Sequence, residues 1–154
     1  MKTTKWGPPG WIFLHTIVHN YPENPTPLDK CNYKLFFSQC EHILPCKYCR
    51  ISFNQYIKEI PIDDYLESRE SVSYWLYMIH NKVNDKLRKQ NYKVGPDPDF
   101  MTVCKHYETF RAGCGKTPGK GPSCRIPVKA KQRIKNIERY KHISQSDLLK
   151  KDCR

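Results

Sequence analysis

No stretch of the 154-residue chain approaches a membrane span, and Met1-Lys2-Thr3-Thr4-Lys5 leads to Trp6 without the apolar core of a secretory leader. An integral membrane protein and a secretory precursor are therefore not expected. There is one Cys-x-x-Cys and no second, so zinc would need two further ligands from His42 or from scattered thiols. Gly115-Lys116-Thr117 lacks the upstream glycine spacing and the preceding strand of a phosphate loop. Acidic residues are scarce at one end only. Residues 1–115 hold 15 Lys/Arg against 12 Asp/Glu, whereas residues 116–154 hold 12 against 3, so most of the net +12 belongs to a tail. Nucleic-acid binding is accordingly expected of that tail alone.

What the chain does have is cysteine: eight, at 31, 40, 46, 49, 104, 114, 124 and 153. That density points to disulfides, zinc or redox exchange. Cys46-Lys47-Tyr48-Cys49 follows Pro45, where a helix can restart. A cysteine at a helix N-terminus has its thiolate favoured by free N–H groups and the dipole, and Lys47 and Arg50 add positive charge. This placement suits thiol–disulfide exchange better than an inert pair. Cys31 and Cys40 are nine residues apart on one helical pattern and are not expected to pair with each other.

The rest reads as helices. Pro8 and Pro9 fit the first positions of a helix running through Trp11, Leu14, His15 and Val18 to a stop at Tyr21-Pro22. A second covers Leu28 to Leu44, and a third follows the cysteine pair. The longest, from about Ser71 to Lys89, has Val72, Trp75 or Leu76, Ile79, Val83 and Leu87 as its buried stripe. Its other face carries Tyr77, His80, Asn81, Asn84 and Arg88, a set able to hydrogen-bond a planar, polar-edged cofactor or simply to meet water. Asp99 can cap a short helix from Phe100 to Phe110. If that helix ends near Arg111-Ala112-Gly113, the chain can double back and let Cys104 and Cys114 bond. Residues 115–128 read as flexible linker, and the tail beyond them as partly disordered, with Ile134, Ile137 and Ile143 able to support a short helix. The expected division is 1–114 for the working domain and 115–154 for the basic tail.

Three separated motifs, in order, resemble the Erv/ALR family of FAD-linked sulfhydryl oxidases. They are Trp6-Gly7, Trp11, Leu14-His15 and Tyr21-Pro22; then Pro45-Cys46-Lys47-Tyr48-Cys49; then Ser68-Arg69, Trp75-Leu76 and His80-Asn81-Lys82-Val83-Asn84. The likeness covers residues 6 to about 89. It implies an all-α fold, a four-helix bundle with a short fifth helix, usually as a homodimer. It further implies that Cys46 and Cys49 form the redox disulfide beside FAD, with Trp11, His15, Tyr77, His80, Asn81, Asn84 and Lys89 holding the cofactor. Cys104 and Cys114 resemble the structural disulfide that fastens the fifth helix, and no metal is expected.

The activity so implied is oxidation of a protein dithiol, or a thioredoxin-like substrate, with molecular oxygen reduced to hydrogen peroxide. Cys46 is the sulfur expected to take the substrate's attack and Cys49 the one nearest the flavin. Cellular members often carry a shuttle pair ahead of the core; here the five residues before Trp6 hold no cysteine, so Cys124 and Cys153 are the candidate shuttle. Short forms of this kind occur in large DNA viruses, where they serve virion assembly. The expected site is thus host cytoplasm or virion for a viral chain, and the mitochondrial intermembrane space for a cellular one. Two other readings compete. One is a disulfide- or zinc-stabilised helical interaction module whose basic tail binds nucleic acid or acidic partners. The other is a thiol exchanger of thioredoxin type, for which the alternating strands and helices are missing.

Overall fold

Local capping chemistry sets the starts of three of the helices. The computed structural model describes residues 1–110. The chain divides into two units, 1–109 and 110–154, and the first is built from helices α1 (Thr3–His19), α2 (Pro27–Ile43), α3 (Lys47–Glu59), α4 (Arg69–Lys89) and α5 (Phe100–Glu108), with a 3-10 turn at Ile62–Tyr65. Thr26 and Asp29 close a capping box ahead of α2: the Thr26 hydroxyl oxygen accepts from Asp29 N at 3.2 Å, and the Asp29 carboxylate accepts from Thr26 N at 2.8 Å. Ser68 and Ser71 do the same for α4, and Asp99 accepts from Thr102 N to start α5. The end of α4 is set by Asn91 at φ 62°, where the Tyr92 N–H returns to Leu87 O and the Asn91 N–H to Arg88 O. That is a Schellman close with asparagine in the left-handed position.

The first helix begins earlier than the prolines suggest, since Pro8 and Pro9 lie inside α1. The carbonyls they leave without a helical donor belong to Thr4 and Lys5, both exposed, so water can serve them. The Trp6 ring lies along Gly10, where a Cβ would meet it at 3.4 Å. This contact ties the extra turn to the rest of the helix. At the other end, α5 stops at Glu108, not Phe110, with Thr109 capping back onto His106 O.

The helices pack with α1 on α4, α2 on α3 and α3 on α4, while α5 lies against α1. The core is Val18, Tyr21, Phe37, Cys40, Phe53, Ile62, Leu66, Val72, Trp75, Leu76 and Ile79. Both alternatives at 75 and 76 are buried; Val83 and Leu87, expected on the same stripe, are half-buried. Trp75 is wholly buried, meets Phe37 edge-on at 4.9 Å and donates its indole N–H to Ile60 O at 2.8 Å. Tyr21 is also fully buried and donates to Leu66 O at 2.9 Å. Arg69 donates from Nε to Tyr21 O and pairs with Glu23, closing the turn after α1 against the start of α4. Among the described residues, no helix is long and apolar enough to cross a membrane.

Candidate active site

Cys46 is the N-cap of α3, with extended backbone at φ −123° and ψ 123°, and Cys49 falls in the first turn behind it. Both are free thiols, as are Cys40 and Cys104. A hydrogen bond from the Cys49 thiol holds the Cys46 thiol below its ordinary pKa, aided by the backbone N–H groups of Cys49 and Tyr48 against desolvation. Cys49 goes the other way: burial first, then the bond to Cys46, pushes it up to about 11. One sulfur is therefore built to carry negative charge and the other to donate a proton to it. Arg50 braces the turn, its guanidinium donating to Leu44 O at 2.6 Å while its N–H closes onto Cys46 O.

A second cluster forms where α1 meets α4. Trp11 and His80 stack face to face, with centroids 3.9 Å apart and planes within 10°. His15 Nε2 lies 3.1 Å from His80 Nδ1. Tyr107 of α5 stacks on His15 and on His19, each at 5.0 Å. Burial is the largest cause holding the His15 pKa down to about 3 and that of His80 to about 4, so both rings are neutral near pH 7. His15 Nδ1 is buried without a hydrogen-bond partner among the described residues, an arrangement that native interiors rarely leave unexplained. His80 and Lys86, the latter reaching α3, are six residues apart on α4, or about 9 Å of rise. One helix thus borders both the aromatic cluster and the dithiol.

The remaining expected site residues divide. Tyr77 donates to Pro98 O at 2.9 Å, and the Asn84 amide donates to Asp97 at 2.7 Å. Arg88 adds bonds to Asp85, Asp97 and Gly95 O. Much of the polar face of α4 is thus occupied by the segment 92–99 of its own chain. Asn81 is half-buried on that face, and Lys89 is exposed in the last turn. Tyr107, His19 and Lys86 went unnoticed in the sequence. Only the three-residue spacing of Cys104 and Tyr107 on α5 hinted that this helix has an inward face.

Cys104 is a free thiol, and Cys114, its expected disulfide partner, lies outside the described residues. The Cys104 side chain lines a cavity of about 460 Å³ between α1, α4 and α5, with His19, Arg69 and Ser73. Burial, and then Glu70 and Glu108, raise its pKa, which leaves it a poor nucleophile. Cys31 is disulfide-bonded, and its partner is not Cys40, whose thiol is free and buried. Cys114, Cys124, Cys153 and the tail lie outside the described residues. Among the described residues, no group of three or more His, Cys, Asp or Glu side chains is arranged to hold a metal ion.

The sequence profile of the Erv1 / Alr family matches residues 9–106, which take in both the dithiol and the aromatic cluster. The chain belongs to this family. A protein of Acanthamoeba polyphaga mimivirus named "probable FAD-linked sulfhydryl oxidase" is 41% identical over 85 residues, covering 54% of this chain and 59% of that one. The mitochondrial FAD-linked sulfhydryl oxidase ERV1 of Saccharomyces cerevisiae is 40% identical over 86 residues, covering 56% and 44%. The chain therefore spans about half the length of these curated relatives. The crystal structure of the FAD binding domain of Erv1 from Saccharomyces cerevisiae superposes with a TM-score of 0.63 at 34% identity, over 71% of this chain and 96% of that one. The five-helix Erv1 / Alr fold is thereby shown independently of the motifs.

Proposed function

We propose that this Erv1 / Alr chain is an FAD-dependent sulfhydryl oxidase that forms disulfides in protein dithiols. One observation carries the reading: a dithiol with oppositely shifted sulfurs at the start of α3, bordered by α4, the helix that also supplies His80 to the Trp11–His15–His80 cluster at the α1–α4 contact. The cluster fits a planar heteroaromatic group, because it offers ring faces and a buried imidazole nitrogen with no partner among the described residues. Trp11, His15 and His80 are the residues assigned to hold it. Asn81, the free carbonyl oxygen of Asn84 and Tyr77 contribute along α4, and Lys89 is assigned to a phosphate. Bound there, FAD supplies the two-electron acceptor for the dithiol and the route to molecular oxygen, giving hydrogen peroxide.

The chain's own residues prepare that transfer. Cys46, half-exposed at the helix N-terminus, is the sulfur a substrate thiolate reaches, and the mixed disulfide forms there. Cys49, more deeply placed, leaves as thiolate, and a second substrate thiol then frees Cys46 with both cysteines reduced. His15 and His80, neutral near pH 7, keep fixed charge away from the ring site.

The finer reading includes a homodimer, supported by Ile12 (47% exposed) and Phe13 (60%) on the outer side of α1. The substrate class is a protein dithiol or thioredoxin-like protein, with Cys124 and Cys153 as the shuttle. Relatives in mimivirus and African swine fever virus support virion assembly in host cytoplasm. Mitochondrial relatives support the intermembrane space for a cellular chain. Any nucleic-acid contact is assigned to residues 115–154, where the basic excess lies.

The deciding experiment is the visible spectrum of the purified protein, followed on dithiol addition under air. A flavin spectrum that bleaches and recovers while oxygen is consumed is the expected result, and Cys49→Ser should stay yellow without turnover. A protein that remains colourless after incubation with FAD would overturn the proposal.

A further inference from the structure

One turn beyond Cys49 on α3, the Ser52 hydroxyl donates to Tyr48 O at 2.9 Å. Its proton is committed there, so it can only accept from a second partner. That partner is the ammonium of Lys86 on α4, which donates to Ser52 Oγ from a half-buried position. Cys49 and Ser52 are three residues apart and share a helix face. The tether therefore fixes one positive charge beside the inner sulfur, across the α3–α4 contact.

Of the other charged groups nearby, Lys47 is exposed, and several more are already engaged. The Arg50 guanidinium is bonded to Leu44 O. On α2, Glu41 is bonded to Asn54, farther along α3, and on α4 Lys82 is paired with Glu59. Lys86 and Arg50 both favour the charged form of Cys49, against burial and the bond to Cys46, with Lys86 the larger of the two.

We infer that Lys86 is a positioning residue for the dithiol: its ammonium, held by Ser52, compensates the charge that arrives on Cys49 Sγ when the Cys46–Cys49 disulfide opens. In that step a substrate thiolate forms a bond to Cys46 Sγ and the Cys46–Cys49 bond breaks. The electron pair of the broken bond leaves on Cys49 Sγ, and no proton moves. The rate of such an exchange rises as the leaving thiol becomes more acidic. The inference rests on the thiol-oxidase reading only in requiring that the pair cycle through a disulfide.

The test uses the full chain with its cysteine pair oxidised, under anaerobic conditions. Glutathione is added near neutral pH, the reaction is quenched by alkylation, and opening of the disulfide is counted by mass spectrometry. Lys86→Met should slow opening about three-fold, with a weaker dependence on salt than the parent, and Lys86→Arg should restore both. Ser52→Ala, which releases the tether, should slow opening in the same direction and serves if Lys86→Met does not fold. Opening at the parent rate in Lys86→Met or Ser52→Ala, or equal slowing in the Met and Arg variants, overturns the inference. The assay needs neither flavin nor oxygen. A chain that binds no FAD would sink the oxidase reading and leave this comparison standing, whereas unaffected opening in a working oxidase would sink Lys86 alone.

Discussion

His15 Nε2 faces His80 Nδ1 at 3.1 Å across the α1–α4 contact, so only one of the two nitrogens can carry a proton. Protonating both rings would set two N–H groups head to head in a buried place. Burial is the first cause of the lowered values, about 3 for His15 and about 4 for His80, and for His15 the facing His80 ring adds to it.

Acid sensitivity follows, with a definite sign. Between the unfolded value near 6.5 and these folded values, the unfolded chain binds protons that the folded chain refuses. Stability is thus fully present above about pH 6.5 and falls as pH drops toward 4. At pH 5 the loss should be on the order of 4 kcal/mol for the two rings together, read as a lower Tm. The carboxylates held low by hydrogen bonds, such as those of Asp97 and Asp99, titrate below that window. His80→Gln should flatten the slope between pH 7 and 5. A parent Tm already flat across that range would contradict the account.

Trp75 is the packing counterpart of that site on the same helix. Trp75→Phe removes the indole N–H from Ile60 O and leaves a void beside Phe37 in the fully buried core. The expected cost is about 2 to 4 kcal/mol, combining a buried unpaired carbonyl with a cavity. A denaturant midpoint unchanged within error would show that the core relaxes around the smaller ring.

Much of this was legible in the chain itself, and the exceptions have physical causes. Apolar spacing and the boxes Thr26–Asp29 and Ser68–Ser71 specify α2 and α4, because they are local. Pro45 before Cys46 marks the start of α3 for the same reason. The first turn of α1 was not legible: prolines normally begin a helix, and only the Trp6–Gly10 contact shows why this one starts five residues sooner. The pairing of His15 with His80, 65 residues apart, is invisible to periodicity, and the family likeness implied only that both hold the cofactor. A polar face such as Tyr77, Asn84 and Arg88 looks the same whether it meets a ligand or its own chain, and here much of it holds residues 92–99. The fate of Cys104 depends on which side of α5 is buried, which spacing over nine residues does not decide.

The segment after α4 depends on two features of different kinds. Asn91 sits in left-handed backbone, which a β-branched residue tolerates poorly, so Asn91→Val should cost about 1 to 2 kcal/mol. Arg88 instead clamps Asp97 and Gly95 from the side. Arg88→Met should leave the overall Tm nearly unchanged while amide exchange at 92–98 speeds several-fold. Equal protection in parent and variant would mean that Tyr77 and Asn84 suffice to hold the segment.

The dithiol offers a direct check on the division of labour between its two sulfurs. Alkylation proceeds through the thiolate, so its rate at a given pH reports how far each sulfur is ionised and how accessible it is. Cys46 is half-exposed, caps α3 and is held below its ordinary value by the Cys49 thiol; Cys49 is pushed up to about 11 by burial. In the reduced protein near neutral pH, iodoacetamide should therefore label Cys46 well before Cys49, with Cys40 slowest because its buried thiol is also raised to about 11. Replacing the hydrogen-bond donor, as in Cys49→Ala, should raise the pH at which Cys46 reacts, since the largest stabiliser of its thiolate is gone. Peptide mapping after timed labelling reads both results. Preferential labelling of Cys49 would reverse the roles, making the inner sulfur the one that meets substrate. The helix N-terminus would then be orienting Cys46 without activating it.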